Sequence, residues 1–264
     1  MTEPRPAYLI PEFLSSDEAR PLRILSEYLE PLRRFDAQNI EDTVVFFGSA
    51  RVESQRRAAQ ALKREQARSP KRAERLRRCR QAVQWSRYYE EARELARLLT
   101  EWSVALDQPR HRFVVCSGGG PGVMEAANRG AHEAGGKTIG LTINLPFEEK
   151  PNRYVTDELN FRFHYFFMRK FWFAYLAKAL VIFPGGFGTL DEVFEFLTLA
   201  QTRRISTKTE VVLYGRSYWD QILNLQPMVD WGAISKRDLK AIHRADEPGE
   251  AFEHLKAHLT AHCL

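Results

Sequence analysis

The feature that most limits what this chain can fold into is a repeated join: an apolar strand running straight into a glycine-rich loop and then into a helix. Phe113-Val-Val-Cys116 leads to Ser117-Gly-Gly-Gly-Pro-Gly122, followed by a small-residue helix over about 123–134 that stops at Gly135-Gly136. Ala179-Leu-Val-Ile-Phe183 leads to Pro184-Gly-Gly-Phe-Gly-Thr189, followed by a helix with Leu190, Val193, Phe194 and Leu197 on one stripe. Thr43-Val-Val-Phe-Phe47, which ends in Gly48-Ser49-Ala50, reads as a further strand, as do 137–143 and 210–214. Strands without polar alternation, separated by helices, predict a parallel sheet covered on both faces. The expected fold is α/β: a Rossmann-like three-layer domain over 41–264. A helical extension (1–40) precedes it, with Leu22, Leu25, Leu29 and Leu32 at helical spacing over 17–34, and a basic helical insertion interrupts it at about 53–87.

In an open parallel sheet, strand-to-helix joins lie at the carboxyl edge, where ligands bind. Glycine lets the backbone approach a ligand, and a helix start offers unpaired N–H groups and a positive dipole end. Such a loop suits an anion, most often phosphate. Two in one sheet point to a phosphate-bearing ligand. Neither loop has the Lys-Ser/Thr pair of a P-loop or a clean Gly-x-Gly-x-x-Gly, which argues against an ordinary dinucleotide enzyme.

Charge narrows the class further. The chain of 264 residues carries a formal +5, yet residues 56–80 hold eleven Lys or Arg against Glu65 and Glu74, so the remainder is net negative. That segment reads as two helices broken at Ser69-Pro70. With no aromatics interleaved among the cations, a solvated insertion is favoured over a nucleic-acid contact. Cys79, Cys116 and Cys263 are too few for a disulfide framework, and Cys116 reads as core. No apolar run is long enough for a membrane span and no signal pattern opens the chain, so a cytoplasmic location is expected.

Thr189-Leu-Asp-Glu192 admits two readings. Thr-x-x-Glu is a capping box. Alternatively a carboxylate beside an anion site serves a sugar hydroxyl or an attacking water. Arg169-Lys170, read as opening the helix before the 179–183 strand, sets two cations against the helix dipole, a conflict that an anionic ligand or Glu192 would resolve. His254, His258 and His262 repeat every four residues beside Cys263. No carboxylate is evident to complete a site, and no metal is expected there. His164 reads as a surface histidine.

These segments together resemble the LOG ("lonely guy") family of phosphoribohydrolases. The residues that carry the resemblance are Pro184-Gly-Gly-Phe-Gly-Thr-Leu-Asp-Glu192, Gly48-Ser49-Ala50, Gly118-Gly-Gly-Pro-Gly-Val-Met-Glu-Ala-Ala-Asn128 and Met168-Arg169-Lys170. The likeness covers about 42–232 and looks like a longer, bacterial-type branch. It implies hydrolysis of the N-glycosidic bond of nucleoside 5′-monophosphates, AMP or cytokinin riboside monophosphates, to free base and ribose 5-phosphate. By the same resemblance Arg169 and Glu192 are the catalytic pair, and Gly185, Gly186, Gly188 and Thr189 cradle the phosphate. Lys170, Gly119 and Gly120 would line the pocket with the other motif residues Gly48, Ser49, Gly118 and Met168, and Glu125 and Asn128 are further candidates. A homo-oligomer is implied, with no metal or organic cofactor.

Three rivals stand beside this reading. The family is often labelled a lysine decarboxylase, but that chemistry calls for pyridoxal phosphate on a lysine, and Lys170 is better explained by the anion site. A non-catalytic nucleotide or cofactor carrier would share the glycine loops. A deoxyribosyltransferase would pass the sugar to another base instead of to water.

Overall fold

The computed structural model describes residues 4–68, 72–144, 151–206, 208–239 and 242–264. Its centre is a seven-stranded, wholly parallel sheet: β1 (Thr43–Phe47), β2 (Val114–Ser117), β3 (Thr138–Ile143), β4 (Asn160–Phe163), β5 (Ala177–Ile182), β6 (Glu210–Tyr214) and β7 (Ile242–Ala245), in the order β4-β3-β2-β1-β5-β6-β7. The order reverses at β1, whose neighbours are β2 (Val45 beside Cys116) and β5 (Val45 beside Leu180). Loops leaving β1, β2 and β5 therefore converge on one stretch of the carboxyl edge, although Gly119 and Gly185 are far apart in sequence.

The unbroken apolar strands face two cores. Val44 and Phe46 point to one side with Val115, Val181 and Phe183, where α4 (Arg87–Val104), α5 (Val123–Glu133) and α9 (Pro248–Cys263) cover the sheet. Val45 and Phe47 point to the other with Leu180, Ile182, Trp172, Phe196 and Trp219. There α1 (Arg20–Ala37), α6 (Phe166–Tyr175), α7 (Phe187–Gln201) and α8 (Arg216–Ile222) lie. Period-two burial on two covered faces is what removes the polar alternation.

Several expectations are corrected. β4 (Asn160–Phe163) and β7 (Ile242–Ala245) are additions: both lie in segments to which the sequence reading assigns no strand. α6 begins at Phe166, so Arg169 and Lys170 lie a turn inside it instead of opening it. On α7 the buried residues include Val193 and Phe196, while Phe194 faces outward. The helix expected over 17–34 is found as α1, with Leu22, Leu25, Leu29 and Leu32 exposed and Pro31 and Phe35 buried.

The basic insertion forms α2 (Gln55–Gln66) and α3 (Ala73–Trp85); the expected break at Ser69-Pro70 lies outside the described residues. Its two acids serve its own cations. Buried Glu65 meets Arg75 at 3.3 Å, and Glu74 meets Arg77 at 3.1 Å and Arg78 at 2.9 Å. Among the described residues no helix is long and apolar enough to cross a membrane.

Candidate active site

The three loops at the carboxyl edge are tied to each other before any ligand is considered. Ser49 N–H donates to the Pro184 carbonyl at 3.0 Å, and Val123 N–H donates to the Ser49 carbonyl at 3.2 Å. The Ser49 hydroxyl accepts from Arg51 N–H at 3.1 Å, so Gly48-Ser49 acts as a strut between the two glycine loops. Gly122, at the start of α5, has φ of +71°, and a Cβ there would meet Ala50 Cα at 2.8 Å as well as the Ser49 carbonyl. Only glycine fits this crossing.

The first loop is fixed from beneath. Asn128 is fully buried: its Oδ1 accepts from the Ser117 hydroxyl at 2.7 Å and from Asn152 Nδ2 at 2.9 Å, while its Nδ2 donates to the Ile139 carbonyl at 3.1 Å and to Thr138 Oγ1. Asn152 also donates to the carbonyls of Gly119 and Gly120, both at 3.1 Å, and Gly119 N–H donates to the Ser117 hydroxyl at 3.0 Å. Asn128 thus sits under the loop with its amide spent, and the residue that sequence reasoning missed is Asn152. Glu125 faces α4 and the insertion instead: its carboxylate accepts from the Tyr89 hydroxyl at 2.7 Å and lies 3.5 Å from Arg57.

The second loop ends differently. Gly186 is the N-cap of α7, and Gly186 and Gly188 face open space where a Cβ would meet nothing within 4 Å. Thr189 is buried with its hydroxyl turned over Gly185, and the Gly185 carbonyl accepts from the Tyr218 hydroxyl at 2.7 Å. With α7 starting at Phe187, Thr189 occupies its third position instead of the cap, and its side chain caps nothing. The capping-box reading of Thr189 and Glu192 is therefore set aside.

Glu192 is 7% exposed, and its Oε2 is buried without a hydrogen-bond partner. Burial pushes its pKa up to about 7, against the pull of Arg169 and Lys170 and with help from Glu195 and Asp191. Arg169 is held by Nε–H donation to the Leu141 carbonyl at 2.9 Å and lies over the Phe173 ring at 5.1 Å. Its guanidinium reaches Gly118 so closely that a Cβ there would stand 2.8 Å from Nη2. Burial lowers the Arg169 pKa, and Glu192 opposes that shift. Lys170 does not point to open space: its Nζ lies 2.8 Å from Asp191 Oδ2 and 3.1 Å from Glu195 Oε2. Met168 belongs to the core beneath.

The histidine repeat gains a partner that the sequence did not reveal: Glu210 meets His254 at 2.8 Å and His258 at 3.1 Å. Among the described residues no group of three or more His, Cys, Asp or Glu is arranged to hold a metal ion. His164 is exposed, its backbone N–H bound to Glu27.

Comparison with known proteins gives a consistent picture. The model of a family described as "Possible lysine decarboxylase" matches residues 124–255. The chain is 25% identical over 178 residues to an Arabidopsis thaliana cytokinin riboside 5′-monophosphate phosphoribohydrolase, covering 66% of this chain and 78% of that protein. It is 33% identical over 112 residues to a probable enzyme of the same name from Oryza sativa subsp. japonica, covering 42% and 44%. The X-ray structure of a structural-genomics target shares the fold at 23% identity, with a TM-score of 0.52 over 82% of this chain and 99% of that one.

Proposed function

The chain belongs to the LOG family, the one described as possible lysine decarboxylase, and from that membership we propose that it hydrolyses nucleoside 5′-monophosphates, AMP or cytokinin riboside monophosphates, to free base and ribose 5-phosphate. The observation that carries the reading is Glu192, on the first turns of the helix that follows the second glycine loop: a buried carboxyl with an unpartnered oxygen, its pKa pushed up to about 7 by burial against the pull of Arg169 on α6. An unpartnered buried carboxyl oxygen next to a glycine loop and a buried guanidinium suits a reacting partner.

The chemistry suits these groups. In the reaction the bond from C1′ to the base nitrogen breaks, a water oxygen joins C1′, and the water's proton balances the departing base. The route passes through an oxocarbenium-like sugar, which ionised Glu192 stabilises while orienting the water. The open backbone at Gly186 and Gly188, with the positive end of α7, receives the 5′-phosphate. Arg169 carries the compensating positive charge, held in place by the Leu141 carbonyl.

A decarboxylase built on pyridoxal phosphate fits these residues poorly. Burial works against the Lys170 charge, but Asp191 and Glu195 outweigh it and raise its pKa. A firmly protonated amine is a poor nucleophile for an aldehyde.

Incubating the protein with a panel of purine, pyrimidine and cytokinin monophosphates and separating the products tests the proposal. Free base with equimolar ribose 5-phosphate supports it. Tight nucleotide binding with no base released would favour the carrier reading, and base exchange without net hydrolysis the transferase.

A further inference from the structure

Three carboxylates, Asp191, Glu192 and Glu195, stand near the start of the helix proposed to receive a phosphate, an arrangement that by itself repels the substrate. The structure supplies one cation against two of them. Lys170 Nζ bridges Asp191 and Glu195 across the gap between α6 and α7. Among the described residues no other hydrogen bond or ion pair links these two helices; beneath them Phe173 and Phe196 both pack on Phe47, at 4.9 and 6.0 Å between ring centres.

We infer that Lys170 is a positioning residue: its bridge fixes the register of α6 against α7 and so sets Arg169, its neighbour on one helix, against Glu192, which lies between its two partners on the other. The inference rests on the phosphoribohydrolase reading for its catalytic consequence, but the bridge itself does not depend on it. As a direct phosphate ligand, Lys170 would have to leave two carboxylates. As a bridge it offsets part of the negative charge that would otherwise face the phosphate, while Glu192 takes no part in the bridge and keeps a buried oxygen without a hydrogen-bond partner. The charged groups acting on Glu192 are Arg169 and Lys170 from α6 and Asp191 and Glu195 from α7. Cys116, buried in the sheet, acts on Arg169, not on Glu192.

The test compares wild type, Lys170→Met, Lys170→Arg and the double variant Asp191→Asn/Glu195→Gln. AMP hydrolysis is followed against pH, and the Glu192 carboxyl is titrated by carbon-13 NMR, its signal assigned by its absence in Glu192→Gln. For Lys170→Met we expect kcat to fall by about tenfold or more and KM to change less than about threefold, since alignment rather than binding is lost. The Glu192 midpoint should rise in Lys170→Met, return in Lys170→Arg, and fall in the double variant. A KM raised about tenfold with the midpoint unmoved would make Lys170 a phosphate ligand and overturn the inference. If wild type releases no base from any monophosphate, the functional reading fails. The NMR midpoints then still decide the bridge, and a Glu192 midpoint indifferent to Lys170→Met sinks it.

Discussion

The Tyr218 hydroxyl donates to the Gly185 carbonyl at 2.7 Å, so a residue of α8 sets the tilt of the peptide that opens the second glycine loop. Tyr218→Phe removes that bond and nothing else. We expect about 1 kcal/mol of stability to be lost, with a threefold to tenfold (roughly) higher KM for AMP. Denaturant melts and steady-state kinetics on one preparation measure both.

Glu192→Gln should lower kcat by about a thousandfold or more while AMP still binds, as seen by calorimetry. A variant that keeps full turnover would remove Glu192 from the mechanism.

The same carboxyl carries a linkage signature. Its folded pKa is about 7 against an ordinary 4.5, so the folded state binds the proton more tightly than the unfolded one. Stability is therefore fully present below about pH 4.5 and falls as pH rises through 7. Glu192→Gln is expected to melt higher than wild type at pH 8, by up to about 3 kcal/mol, and no higher at pH 4. Hydrolysis, if the ionised form works, should rise with pH over the window in which wild-type stability falls.

Asn128→Ala breaks a buried network that joins β2, β3 and the first loop through Ser117, Thr138, Ile139 and Asn152. Leaving several buried polar groups unpaired should cost roughly 2–4 kcal/mol, read from urea midpoints.

Two glycines separate folding from chemistry. Gly122→Ala forces a Cβ into the backbone of Ser49 and Ala50 at positive φ, and should unfold or severely destabilise the chain. Gly118→Ala meets only the ends of two flexible side chains, Arg169 and Met124. It should fold nearly normally while kcat falls about tenfold as the guanidinium is displaced. Circular dichroism and kinetics on the pair separate the two effects.

How much of this was legible in the sequence depends on the range of the interaction. The strand Thr43–Phe47 and the strand Glu210–Tyr214 are found as read, because a short run rich in β-branched and aromatic residues speaks for itself. β4 was hidden because Asn160–Phe163 is only four residues long and alternates, as a half-covered edge strand does. The candidate site was legible as two glycine loops and a few charges, but not as an arrangement. Nothing local announces that Asn152 would hold the first loop, that the Leu141 carbonyl would take Arg169, or that Lys170 would serve two acids rather than an anion. The capping-box reading failed for a related reason: Thr-x-x-Glu specifies a cap only if the helix starts there, and α7 starts two residues earlier.

The strand order has a consequence for how such a protein comes to life. β1 pairs with β2 on one side and β5 on the other, so a nascent chain leaving the ribosome has no complete crevice until Ile182 has emerged and crossed back to Phe47. Contacts of that span form slowly. A ligand in that crevice, as proposed above, would hold only states in which β1 and β5 are already paired, and would leave states that lack this pairing as they were.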